Sequence, residues 1–94
     1  MPEVKWLPEA VEDARLLFEF LDDKSPSAAA KAAQALQKGA NLLAGFPEVG
    51  RPMDDGTGRR ELFIPFGAGA YVPRYILDAQ VVFIIRAWHS KEKR

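Results

Sequence analysis

The chain reads as a two-layer α+β domain of strand–helix–helix–strand–strand–strand order, with a helical hairpin on one face of a mostly antiparallel four-stranded sheet. Three observations predict this. Residues 71–89 hold two runs rich in β-branched and aromatic residues that meet at Asp78-Ala79-Gln80, a β-hairpin pattern. Apolar residues recur at helical spacing through two earlier stretches, each opened by a proline. Between these regions lies a loop, residues 46–58, dense in proline and glycine.

Val4-Lys5-Trp6 is a short strand candidate closed by Pro8. Pro8 suits the first position of a helix, where its missing N–H is no loss, and Glu9, Glu12 and Asp13 complement the positive end of the helix dipole. Val11, Ala14, Leu17, Phe18 and Leu21 form the expected buried stripe, with Leu16 and Phe20 beside it as surplus apolar surface. That surplus fits either packing on the next helix or a partner. Asp22-Asp23-Lys24 is read as the turn, after which Ser25 caps a second helix with Pro26 at its first position. The stripe Ala29, Ala32, Ala33, Leu36, Ala40 and Leu43 is mostly small and permits close approach, and Gly45 and Pro47 end the helix. Gly39 in its interior has no sequence explanation beyond packing.

The segment 59–66 is the next strand, opened by Arg59 and Arg60, and Gly67-Ala68-Gly69 turns into the final hairpin. This glycine turn lacks the strand-before, helix-after context because a strand follows it, so it is not read as a phosphate-binding loop. Proline cannot donate to a ladder, so Pro73 is expected at a bulge or an unpaired position. Val81–Ile85 is apolar at every position and is expected inside the sheet with both faces covered. Arg74, Arg86 and His89 interrupt the apolar runs, and an unpaired buried cation is costly, so the arginines should meet solvent, an acid or a ligand. A three-residue loop, Asp78 to Gln80, would pair Arg74 with Ile84 and Val72 with Arg86. Both arginines would then share the open face with Val82, Ile84 and Trp88, leaving Phe83 and Ile85 to the helices.

Ninety-four residues suffice for one domain, 1–94, with one core. The chain has no cysteine and a single histidine, which argues against disulfides and a zinc centre; no metal or cofactor is expected. Its opening residues lack the basic-then-apolar order of a secretion signal and no apolar run is of spanning length, so the expected location is cytoplasmic. The net charge is zero but unevenly spread: residues 1–50 carry five cations against eight acids, and residues 51–94 carry eight cations, six of them arginine, against five acids. Arginine suits forked contacts with carboxylate or phosphate, so an acidic partner is expected, while the neutral total argues against tight nonspecific nucleic-acid binding.

The strand with Trp6, the acidic first helix, Phe46-Pro47-Glu48-Val49-Gly50-Arg51-Pro52, Arg60-Glu61-Leu62, Arg74-Tyr75 and Ile85-Arg86-Ala87-Trp88-His89 together resemble the RelE/ParE superfamily of type II toxins from bacterial toxin–antitoxin modules, the kind that stabilise plasmids. The resemblance implies a small toxin silenced by a cognate, ParD-like antitoxin, for which Leu16, Phe20 and Trp6 are the candidate contacts. It also implies one of two activities. ParE-like members bind DNA gyrase and trap it on cleaved DNA, with Arg51, Arg60, Arg74, Arg86, Trp88 and His89 as candidate target-binding residues. RelE-like members cut mRNA on the ribosome, which here would need Glu61 as base, His89 as acid or base, and Arg60, Arg74 and Arg86 around the phosphate. The neutral charge, Met53-Asp54-Asp55 in place of a basic loop, and the Arg86-Ala87-Trp88-His89 ending favour the ParE-like reading. A third reading is a superfamily member without toxicity, serving as antitoxin partner or co-repressor. Taken alone, His89 and both tryptophans also suit structural roles.

Overall fold

The computed structural model describes residues 2–91. Helix α1 (Pro8–Lys24) and helix α2 (Pro26–Gly45) form the hairpin, and the sheet holds six strands where four are predicted: β1 (Glu3–Trp6), β2 (Arg51–Pro52), β3 (Arg60–Glu61), β4 (Ile64–Phe66), β5 (Gly69–Asp78) and β6 (Val81–His89). Their order is β1-β6-β5-β3-β2, with β4 also pairing β5. β1 runs parallel to β6 and all other pairs are antiparallel.

The extra strands have local causes. Residues 51–52 of the long loop pair with β3, and the single strand expected over 59–66 is interrupted after Glu61. Pro73 accounts for the interruption. Its carbonyl accepts from Leu62 N–H at 3.1 Å, and in an antiparallel strand a residue's N and O point to the same neighbour. The donor that proline lacks therefore falls on this margin, between β3 and β4.

The inter-helix turn is shorter than expected. Asp22-Asp23-Lys24 completes α1, and Ser25 alone ends one helix and starts the next, its hydroxyl accepting from Ala28 N–H at 3.3 Å. On α1 Leu17, Phe18 and Leu21 pack against the core as expected, but the stripe begins at fully buried Ala10, whereas Val11, expected in it, is 52% exposed. On α2, Ala32, Leu36, Gly39, Ala40 and Leu43 face inward, and Ala33 lies outside. Gly39 now has its packing reason, because a β-carbon there would collide with the Ile64 side chain of β4.

The hairpin's register also differs from the expected one. The loop is two residues, Ala79 and Gln80, with Ala79 at φ +56°, so Asp78 pairs Val81, Leu77 pairs Val82 and Tyr75 pairs Ile84. A bulge then shifts the ladder so that Arg74 stands opposite Arg86 and Tyr71 opposite His89. Tyr75, Val82 and Ile84 consequently face the helices, packed with Ala10, Leu43 and Leu62. Phe83 and Ile85, expected there, lie partly buried on the opposite face. β6 is interior to the sheet, between β1 and β5, but only one of its faces is covered. A second cluster joins Tyr71 to Ala32 and Leu36, and half-buried Trp6 packs against both clusters.

Candidate functional site

Alternation along β5 fixes the two faces: Tyr75 lies under the helices, so Arg74 and Ile76 point to the uncovered side. Cross-strand pairing extends this into a row. Arg51 is opposite Glu61, Glu61 opposite Arg74, and Arg74 opposite Arg86, four charged residues from four strands.

The row does not act as one cluster. Arg74 donates from Nε (3.2 Å) and Nη2 (3.0 Å) to Glu61 Oε2, and its guanidinium lies 4.8 Å from the Trp88 ring centre. Arg86 is drawn away. β1 ends at Trp6, opposite Ile84, so the margin of β6 beyond that point has no strand partner and α1 takes its place. There Asp13 accepts from Ala87 N–H at 3.0 Å and from Arg86 Nε at 2.8 Å and Nη2 at 3.1 Å. These bonds to a carboxylate hold the Arg86 guanidinium above its ordinary pKa, and so firmly charged. The expected pair of guanidiniums together on the open side is therefore not formed: Arg74 stays and Arg86 turns to the helix layer.

The remaining candidates are committed elsewhere. Arg60 Nη1 donates to the carbonyls of Glu48 (3.0 Å) and Gly50 (2.8 Å), tying the proline-rich loop to the sheet. The Tyr75 hydroxyl accepts from Gly50 N–H at 2.8 Å, and burial pushes its pKa up. His89 Nδ1 accepts from Lys91 N–H at 3.2 Å, which leaves Nε2 as the donor to Phe66 O at 3.1 Å; its ring stands edge-on to Tyr71. Arg51 lies 4.9 Å over the Phe63 ring, a contact that the sequence pattern did not reveal.

A concavity of about 800 Å³ was not foreseen as a site. It is a groove between α1 and the far end of the sheet, lined by Leu16, Leu17, Phe20 and Leu21 on one side and by Phe66, Tyr71 and Ala87 on the other. Asp13, Arg86, His89 and Lys91 supply its polar groups. Leu16 and Phe20, 51% and 60% exposed, are thus part of the wall of a groove. Trp6 does not line it.

The family model for the ParE toxin of the type II toxin–antitoxin system parDE matches residues 4–94. The chain belongs to the ParE toxin family. This ParE-family toxin is 38% identical over 85 residues to toxin RelE1 of Caulobacter vibrioides, covering 90% of the chain and 89% of the relative. Toxin RelE3 of the same organism is 35% identical over 94 residues, the full length of both. Among solved structures, a chain of a chromosomal ParDE toxin–antitoxin system from P. aeruginosa superposes with a TM-score of 0.76 at 19% identity, covering 95% of this toxin and 96% of that chain, and so shares its fold. No helix among the described residues is long and apolar enough to cross a membrane.

Proposed function

We propose that this toxin arrests growth by binding DNA gyrase and trapping it on cleaved DNA, with no acid–base site of its own, and that a cognate ParD-like antitoxin silences it from the α1 groove. The observation that carries the first half is the dispersal of the nuclease candidates. A general base and acid must reach one substrate from a shared site. Here Glu61 is bound by Arg74, His89 has both ring nitrogens in backbone hydrogen bonds, Arg86 is on Asp13 and Arg60 is on loop carbonyls. A toxin that works by binding requires no such convergence. For the second half, the groove's apolar walls and exposed Phe20 suit an amphipathic segment of the antitoxin.

Incubation of the purified toxin with gyrase and supercoiled plasmid is expected to accumulate linear DNA. Unimpaired gyrase turnover at excess toxin rejects the reading. The names of the Caulobacter relatives favour a second reading, cleavage of mRNA on the ribosome. In that case toeprinting shows cuts in the A-site codon that vanish in Glu61→Gln and His89→Gln.

A further inference from the structure

Seven large apolar side chains are exposed among the described residues, and they fall into two groups. Val11, Leu16 and Phe20 belong to α1 and its groove. Leu42, Phe46, Val49 and Phe63 lie at the end of α2, in the turn that follows and on the link between β3 and β4. Exposed apolar side chains therefore also lie on elements that take no part in the α1 groove.

Beside one of them, Phe63, lies a cation with no acid of its own. Arg51 stands opposite Glu61, but that carboxylate is taken by Arg74 from the other side. The Arg51 guanidinium makes no hydrogen bond or ion pair within the described residues and rests instead on the Phe63 ring, itself 45% exposed. Its five N–H donors remain for a partner, and stacking on the ring restricts the side chain before binding, which lowers the entropy lost on contact. Arg59 pairs Met53 through the β2–β3 ladder, two positions from Glu61, and so shares the face. The other described arginines are held: Arg15 by Glu12 and Glu19, Arg60 by carbonyls, Arg74 by Glu61 and Arg86 by Asp13.

We infer that Arg51 stacked on Phe63 is the anchor by which the toxin grips its target, and that the target is a protein presenting a carboxylate to the guanidinium and an apolar side chain to the ring. This rests on the reading of the chain as a toxin that acts by binding a protein. Arginine and aromatic side chains dominate interface energetics, and a bidentate carboxylate is the natural complement of a guanidinium edge. A polynucleotide fits less well, because the same open face carries Glu3, Glu61 and Asp78 and the chain has no net positive charge. None of Arg51, Arg59 and Phe63 lines the α1 groove, so antitoxin binding is separable from this surface.

The test compares the full-length toxin with Arg51→Glu, Phe63→Ala and the milder Arg51→Lys, each checked for an unchanged thermal transition. The expected result is at least about a tenfold loss of potency in growth arrest for Arg51→Glu and Phe63→Ala, and an intermediate loss for Arg51→Lys, while affinity for the antitoxin encoded beside the toxin stays within about twofold. Full potency in folded Arg51→Glu overturns the inference, as does equal weakening of antitoxin binding. If Arg51→Glu does not fold, the Phe63→Ala and Arg51→Lys results decide in its place. Binding of labelled oligouridylate by the wild type that is lost in Arg51→Lys overturns the assignment of a protein partner. Growth arrest that depends on Arg51 without trapped gyrase rejects gyrase as target and keeps the surface. A wild-type chain that arrests nothing removes both.

Discussion

Arg74 and Arg86 face each other directly across the β5–β6 ladder, yet their guanidiniums end on acids of two different elements, Glu61 on β3 and Asp13 on α1. The bulge and the early end of β1 make this possible: they leave the Ala87 N–H without a strand partner, and Asp13 fills the gap. Replacing Asp13 by alanine removes the acceptor of a partly buried N–H and the partner of Arg86. The expected loss is about 1–3 kcal/mol in urea unfolding. Asp13→Asn, which keeps an oxygen for Ala87, is expected to lose roughly half as much. Equal losses would mean that the backbone bond contributes nothing.

The Gly50–Tyr75 contact explains the glycine of the Pro-x-x-Gly-Arg loop. A β-carbon at Gly50 would sit 2.5 Å from the Tyr75 hydroxyl oxygen, whose ring is fully buried and cannot retreat without disturbing the core. Gly50→Ala is expected to destabilise by about 1–3 kcal/mol, the range for overpacking. Calorimetry checks it, and a transition temperature equal to wild type would show that the loop simply shifts outward.

The same tyrosine predicts an alkaline weakness. Burial raises the pKa of Tyr75 in the folded chain above its ordinary value of 10.0, so the neutral form is favoured there. The stability tied to this shift is complete below pH 10 and declines as pH rises from the unfolded value through the folded one, because only the unfolded state readily loses the proton. Denaturant midpoints measured between pH 8 and about 11 should fall more steeply in wild type than in Tyr75→Phe. Parallel curves would assign the alkaline loss to other groups.

Periodicity and capping made much of this fold legible. Pro8, Ser25-Pro26 and the small residues of α2 mark where both helices start, although α1 continues through Asp22-Asp23-Lys24, the residues read as its turn. Two kinds of information were not local. The bulge at Arg74/Tyr75 depends on how β5 meets β6, and it lets Ile84 and Ala87, three positions apart, both be buried, which uninterrupted alternation does not allow. The fate of each arginine depends on which acid reaches it first in space: Asp13 is 73 positions from Arg86, and no spacing rule connects them. Leu16 and Phe20 were visible as surplus apolar surface, but the groove's opposite wall comes from Phe66 and Tyr71, whose approach to α1 only the tertiary fold reveals.

That groove yields the last prediction. Phe20 and Leu16 project from α1 over a floor that includes Leu17, Leu21, Phe66 and Tyr71, so a bound apolar side chain would be enclosed on several sides. Enclosure is what turns a contact into a hot spot, because water is excluded around it. Truncating an anchor of this kind typically costs about 2 kcal/mol or more, roughly thirtyfold in Kd. Phe20→Ala and Leu16→Glu are therefore expected to weaken antitoxin binding at least about tenfold in titration calorimetry. Both side chains are already half-exposed in the free chain, so unfolding midpoints should barely move. Growth arrest by the free toxin should persist and resist rescue by the antitoxin. Unaltered antitoxin affinity in both variants would place the antitoxin elsewhere on the toxin, and a large drop in stability would show that the pair holds the hairpin instead of a partner.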